Sequence, residues 1–387
     1  MTKKLFSEFT LTQRIVVALL GVITSCVWCG LICVILSSPA TLSNQVASQP
    51  SPYVPPTQPT FVPLPPSTSS SVVPTPEPSV APVVRASIAI APNNIQQMKR
   101  VNNMYIPATL PYQIAWSRDG KKLALVQSGV VALYDAENLK VIRQFSHPGN
   151  KLLIRTAFSP DGQIVATGSL NGTIKIWEAS SGRELFTLNG HTDQIQGIVF
   201  SPDGRVLFTG ASDRTVRLWE ISTGRLLNTL RHTDAVFDIA LLPDGRQLIA
   251  GTVNGTLTLW DVITGRDLRV IGRTTKAIYS VAVSPDGSFA VLGTLDGIVR
   301  IWRTSDWSEI PVRYRHQTEI IGLAFSPDGR LLVSVDVGGM GRIWDTSTWT
   351  VVSGVSEKKM QGVTFSPDGK FLAYTTDQGV VFWAIQK

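Results

Sequence analysis

The tetrapeptide Ser-Pro-Asp-Gly, or a close variant, begins at Ser117 (SRDG), Ser159, Ser201, Leu242 (LPDG), Ser284, Ser326 and Ser366, with spacings of 42, 42, 41, 42, 42 and 40 residues. Seven copies in one register confine the chain to a repeat architecture, in which each copy is one supersecondary unit stacked on its neighbours. The proline presets φ at the second turn position and the glycine admits a positive φ at the end, so each copy is a hairpin turn that strands must flank. In the third repeat the flanking strands are expected over 196–200 and 205–209, followed by 215–220 and 225–230.

A period near 42 lies in the range of roughly 40 to 45 residues for the four-stranded blade of a β-propeller, so seven copies imply seven blades. An aromatic residue ends the third strand of every repeat: Tyr134, Trp177, Trp219, Trp260, Trp302, Trp344 and Trp383. Burying one indole removes on the order of 200 Å² from water, about 5 kcal/mol as an upper bound, enough for the series to carry packing between blades. The chain stops four residues after Trp383, leaving the seventh blade without a fourth strand of its own. The same offset counted back from Ser117 places the missing strand over 98–106, which would close the ring and hide its edges.

These residues resemble the tryptophan-aspartate (WD) repeat family, whose signature pairs a glycine-histidine with the tryptophan-aspartate. The dipeptide itself stands only at Trp260-Asp261 and Trp344-Asp345; the resemblance rests on seven copies over about 290 residues. It implies an all-β, seven-bladed propeller of four-stranded antiparallel blades over 98–387, and a bacterial, membrane-anchored member. It also implies that a loop His, a turn Asp, a strand hydroxyl and the Trp form a buried hydrogen-bond chain that locks a blade. His191, Thr209, Asp213 and Trp219 supply that set in the third repeat, the only repeat expected to keep it whole. The turn position elsewhere reads Ser128, Asn171, Asn254, Asp296, Gly338 and Asp377, and the remaining histidines are His147, His232 and His316. With all four histidines at this structural position, none is left for catalysis or a metal.

No enzyme is therefore expected, and no cofactor, since H-E-x-x-H, EF-hand and phosphate-loop patterns are missing. A net charge of +7 from 35 basic and 28 acidic residues, without a dense basic run, gives no case for nucleic acid. Partner binding has a better candidate. The residues at the start of the innermost strands, five before each turn serine or its equivalent, are Tyr112, Ile154, Gln196, Phe237, Tyr279, Ile321 and Gln361. They would ring one mouth of the central channel, where the resemblance implies that a protein or peptide partner binds, and aromatic side chains serve well as anchors. Loop charges of both signs accompany them at Asp193, Asp234, Arg273, Lys276, Arg313, Arg315 and Glu319. Trp307 and Trp349 replace the turn glycines Gly182, Gly224 and Gly265 and are expected to cover an outer strand.

Ahead of the propeller, residues 15–36 form a run of 22 without a charge, at 1.5 Å per residue roughly 33 Å of helix, enough to span a bilayer. Lys3, Lys4 and Arg14 precede it and no basic residue follows until Arg85, so residues 1–14 are expected in the cytoplasm and the rest outside the cell membrane. A cleaved signal peptide ending near Ser38 and Ala40, or a lipoprotein modified at Cys26, are the alternatives. Residues 37–84 hold 13 prolines, 15 Ser or Thr and a single charge, Glu77, so they read as a disordered stalk, followed by a connector over 85–97. All three cysteines, Cys26, Cys29 and Cys33, lie in the apolar run. The expected function is an extracytoplasmic protein-binding scaffold or sensor on a membrane-anchored stalk. A propeller hydrolase or lyase, or the ligand-sensing subunit of a membrane signalling complex, are the competing readings.

Overall fold

The computed structural model describes residues 79–80, 88–106, 113–127, 129–147, 153–312 and 314–385. These form seven antiparallel sheets, each with its strands side by side in chain order except the last. Blade 1 runs from Gln113–Trp116 to Val141–Ser146, blade 2 from Leu153–Phe158 to Glu184–Leu188, and blade 3 from Ile195–Phe200 to Leu226–Arg231. Blade 4 runs from Val236–Leu241 to Arg266–Arg273, blade 5 from Ile278–Val283 to Glu309–Ile310, and blade 6 from Ile320–Phe325 to Thr350–Ser356. Blade 7 contains Val363–Phe365, Phe371–Thr376 and Gly379–Ile385, and its fourth strand is Met98–Tyr105, paired antiparallel with Gly379–Ile385. The innermost strands touch one another around the ring, with blade 7 meeting blade 1.

Sequence explains which strands lie where. Second strands such as Val206–Ala211 and Leu331–Asp336 read almost continuously apolar because a neighbouring sheet covers each of their faces, and they are buried nearly throughout. Outer strands are far less buried: in Leu226–Arg231 only Leu230 is buried. Among the described residues the apolar side chains form seven clusters, each shared by two adjacent blades. Phe208, Leu218 and Leu230 of blade 3 pack on Val236, Leu248 and Trp260 of blade 4, for example. Met104, Val380 and Phe382 of blade 7 pack on Leu123, Leu125 and Tyr134 of blade 1, which closes the circle.

Glycines on the second strands let the sheets approach. A Cβ on Gly251 would stand 2.5 Å from Cγ2 of Ile278, the first residue of the next blade, and Gly168, Gly210 and Gly293 face Ile195, Val236 and Ile320 in the same way. The Ser-Pro-Asp-Gly turns do more than proline and glycine explain. In blade 1 the buried Ser117 hydroxyl donates to Asp119 Oδ1 (2.6 Å) and accepts from the Lys122 amide (2.9 Å), while Asp119 accepts from the Lys121 amide. That serine bond, aided by the amide and nearby lysines against a small cost of burial, lowers the Asp119 pKa. Leu242 removes this bridge from blade 4 alone among the seven turns.

The N-terminal boundary differs from the expectation. Ser79–Val80, assigned to the disordered stalk, form a fifth strand on blade 7, with Ser79 opposite Tyr105 and Val80 opposite Met104. The expected connector is also built in: Ile88 bridges to Ile385, Ile90 donates its amide to the Gly369 carbonyl (2.9 Å), and Ile90 and Ile95 are buried between blades 6 and 7. The three isoleucines 88, 90 and 95 supply apolar surface that the proline-rich stretch lacks, so the chain joins the core here. Residues 1–78, including the apolar run 15–36, lie outside the described residues, among which no helix is long and apolar enough to cross a membrane.

Candidate functional site

Each blade offers the same frame for a polar chain: a loop before the innermost strand, a second-strand residue ten before the aromatic, and the aromatic itself. In blade 3 the structure brings all four expected residues together. Trp219 Nε1 donates to Thr209 Oγ1 (2.8 Å), Thr209 Oγ1 lies 2.9 Å from His191 Nε2, and His191 Nδ1 lies 2.8 Å from Asp213 Oδ2. One direction of donation satisfies every atom: indole N–H to hydroxyl, hydroxyl to Nε2 of a neutral imidazole, Nδ1–H to carboxylate. Asp213 also accepts from the Thr192 and Thr215 amides and the Thr215 hydroxyl. Burial works against its charge, but His191 and these donors outweigh it and bring its pKa down to about 2.

Blade 3 is not alone, contrary to the sequence reading. In blade 6, Trp344 Nε1 donates to Ser334 Oγ (2.9 Å), which lies 2.7 Å from His316 Nε2, and His316 Nδ1 lies 2.9 Å from Asp336 Oδ2. Asp336 ends its strand two residues before Gly338, the turn position that carries the carboxylate in blade 3. The chain needs an acceptor at Nδ1, not a fixed turn position, and only the fold brings Asp336 to His316. Burial lowers the His316 pKa, with Asp336 opposing.

Elsewhere the chain is truncated. Blade 2 keeps Trp177, Thr167 and His147 at 2.9 and 2.7 Å, but His147 Nδ1 has no partner. In blade 4 the hydroxyl position is Ala250, and both Trp260 Nε1 and His232 Nε2 are buried without a partner, as Trp383 Nε1 is in blade 7, where Ala373 stands. Burial brings the pKa of His147 and of His232 down to about 4, assisted at His147 by Lys175.

The channel-mouth residues share a feature that the sequence did not reveal. In blades 2 to 6 the pairing of the innermost strand shifts register across Ile154, Gln196, Phe237, Tyr279 and Ile321, so each is the extra residue of a β-bulge. Bulges re-aim a side chain and accompany binding sites. Ile154, Gln196 and Phe237 are buried, which corrects the idea of a continuous exposed ring; Tyr279 and Ile321 are half-buried and Gln361 is exposed. Phe237 is covered by Tyr279, edge to face with centroids 5.0 Å apart. Tyr112, Arg313 and Ser128 lie outside the described residues.

Arg155 and Asp238, each following a bulge, and Gln113, at the corresponding position of blade 1, tie neighbouring blades together. Arg155 Nε donates to the Gln196 carbonyl, Gln113 Oε1 accepts from the Thr156 amide (2.8 Å), and Asp238 Oδ2 accepts from the Val281 amide (2.8 Å). Burial raises the Asp238 pKa to about 6 against the opposing pull of the Val281 amide and Arg155. The exposed loop charges Arg273, Lys276, Arg315 and Glu319 complete the mouth. Among the described residues no group of three or more His, Cys, Asp and Glu is arranged to hold a metal ion.

A family model for the WD domain, G-beta repeat, matches residues 140–178, 182–220, 224–261, 265–303 and 308–345. WD repeat-containing protein 82 of Drosophila melanogaster is 37% identical over 87 residues, covering 21% of this chain and 27% of that protein. Nuclear distribution protein PAC1-2 of Postia placenta is 46% identical over 46 residues, 12% of this chain and 11% of its own. A WD repeat-containing protein of Nostoc sp. is 44% identical over 43 residues, 11% of this chain and 3% of its own. The chain thus spans about a quarter or less of these relatives' lengths.

Proposed function

Because this chain carries WD40 repeats closed into a seven-bladed propeller, we propose that it is a protein-interaction scaffold, displayed outside a membrane on a stalk, that takes a protein or peptide partner at the channel mouth. The observation that carries the mouth reading is the Phe237–Tyr279 pair: two bulge residues of adjacent blades in edge-to-face contact, Tyr279 half-exposed beside the charged loops around Arg273 and Lys276. An aromatic anchor on a rigid ring inside a polar rim is the usual anatomy of an interaction hot spot. The non-catalytic reading is supported by the histidines. His191 and His316 are hydrogen-bonded to a hydroxyl and a carboxylate, and burial holds His147 and His232 neutral at physiological pH. The membrane reading rests on residues 15–36 and the charges before them.

Two measurements test this. A photo-crosslinker at Tyr279 in native membranes should trap a discrete partner, and Phe237→Ala with Tyr279→Ala should abolish trapping from a neighbouring site with the melting transition still cooperative; trapping that persists in the double variant rejects the mouth. Protease added to intact cells should digest the propeller if it faces outward, and full protection rejects that placement.

A further inference from the structure

The turn between the third and fourth strands holds one residue at positive φ in six blades: Leu139, Gly182, Gly224, Gly265, Trp307 and Trp349, at φ from 54° to 78°. This residue looks into the seam with the preceding blade. Leu139 fills its seam in the cluster shared by blades 7 and 1. Trp307 packs between blades 4 and 5 with Arg269 over its ring, and Trp349 packs between blades 5 and 6 against Phe289, centroids 5.0 Å apart. Where the residue is glycine, the preceding blade fills the space: Arg143 and Phe145 face Gly182, and Phe186 and Leu188 face Gly224.

One seam departs from this rule. At Gly265, between blades 3 and 4, the facing residue is Asn228, which occupies the strand position that Phe186 holds in blade 2. The amide covers Gly265, its Nδ2 standing 2.3 Å from where a Cβ would sit, but it is shorter than a phenylalanine and a groove of about 460 Å³ remains beyond it, walled by Phe208, Leu218, Leu227 and Val262, with Asp203 and Asp244 also lining it. Val206, at the position corresponding to Phe289, lies in the same groove. Ile263, 71% exposed, also lines the groove, and Leu226, Leu268 and Val270 on the outer strands of the same two blades are exposed. Side chains of this size and character mark interaction surfaces when they stand together on a soluble face.

We propose that the seam between blades 3 and 4 receives a tryptophan side chain from a partner protein. The chemistry of the occupant is read from the molecule's own seams, two of which hold an indole in the corresponding place. The two lining carboxylates add acceptors for the indole N–H or for a basic residue beside it. This binding is separate from the channel mouth, and it shares with that reading only the premise that the propeller binds proteins.

The test uses the full-length chain and N-acetyl-5-fluorotryptophanamide, followed by ¹⁹F NMR. The native protein is expected to bind it saturably, in the millimolar range usual for a single side chain. Gly265→Trp plugs the seam with the chain's own indole once the Asn228 amide swings aside, at a φ that Trp307 and Trp349 already adopt, and should weaken binding at least tenfold. Asn228→Phe, copying Phe186, should do the same and covers the case in which the first variant fails to fold. Absence of saturable binding to the native chain overturns the proposal, as does equal binding by folded Gly265→Trp or Asn228→Phe. Binding lost in Phe237→Ala with Tyr279→Ala, and kept in the seam variants, would sink the seam and leave the mouth standing.

Discussion

Replacing Thr209 by valine exchanges one buried hydroxyl for a methyl and leaves the shape of the second strand of blade 3 almost unchanged. Two groups then lose their partner at once: the Trp219 indole N–H, which donates to Thr209 Oγ1 at 2.8 Å, and His191 Nε2, 2.9 Å from the same atom. A buried polar atom left unsatisfied costs about 1 to 3 kcal/mol, so Thr209→Val should destabilise the propeller by about 2 to 4 kcal/mol once the relieved desolvation of the hydroxyl is set against it. Blade 4 shows that the end state is survivable, because Ala250 already leaves Trp260 Nε1 and His232 Nε2 in this condition. At about 2 to 4 °C per kcal/mol for a large domain, the melting temperature should fall by roughly 4 to 16 °C. Circular dichroism melts of the purified chain measure this, and Thr209→Ser should recover most of the loss. A Thr209→Val protein that melts with the native one would refute the view that these chains lock the blades.

The converse substitution, Ala250→Thr, supplies both missing partners in blade 4 and should raise stability by about 1 to 2 kcal/mol in the same melts; a drop would mean that blade 4 lacks room for the hydroxyl. Gly251→Ala forces a methyl to within 2.5 Å of Ile278 and should cost about 1 to 3 kcal/mol as overpacking, read as a lower urea midpoint. Acidification should destabilise the fold between pH 6.5 and about 4: His147 and His232 have folded pKa values near 4, below the ordinary 6.5, so unfolding takes up protons in that window and stability rises with pH across it. Asp238, raised to about 6 from 3.8, acts in the opposite sense, so Asp238→Asn should steepen the acid dependence of urea midpoints, and an unchanged slope would contradict the assignment. Deleting residues 98–106 bares the edge of Gly379–Ile385 and should abolish cooperative unfolding in calorimetry.

Much of this architecture was legible because it is written seven times. The Ser-Pro-Asp-Gly turns and the aromatic at the end of each third strand set the register. The strands of blade 3 lie within a residue or two of where the turns put them: Ile195–Phe200, Val206–Ala211, Thr215–Glu220 and Leu226–Arg231. What was hidden is what depends on partners distant in sequence. Asp336 carries no turn signature, and only the fold brings it to His316. The bulges at Phe237 and Tyr279 depend on pairing with the neighbouring strand, so an extended stretch of sequence gives no sign that the side chain has been re-aimed into the ring. Ser79–Val80 were lost in a proline-rich background because two residues are too few for a periodic signal; their strand is imposed by the free edge of Met98–Tyr105.

The fourth strand of blade 7 also constrains the order of assembly. Met98–Tyr105 leaves the ribosome before any complete blade, and its hydrogen-bonding partner Gly379–Ile385 is the last of the propeller's strands to be made. Blades 1 to 6 can dock on one another during synthesis, since each cluster joins consecutive blades, but the seam between blades 7 and 1 cannot form until Gly379–Ile385 has been made. Until then an early strand waits unpaired beside a lengthening arc. A ribosome stalled before residue 379 would therefore hold an open arc with both end sheets unsealed, the stage at which a chaperone has most to protect.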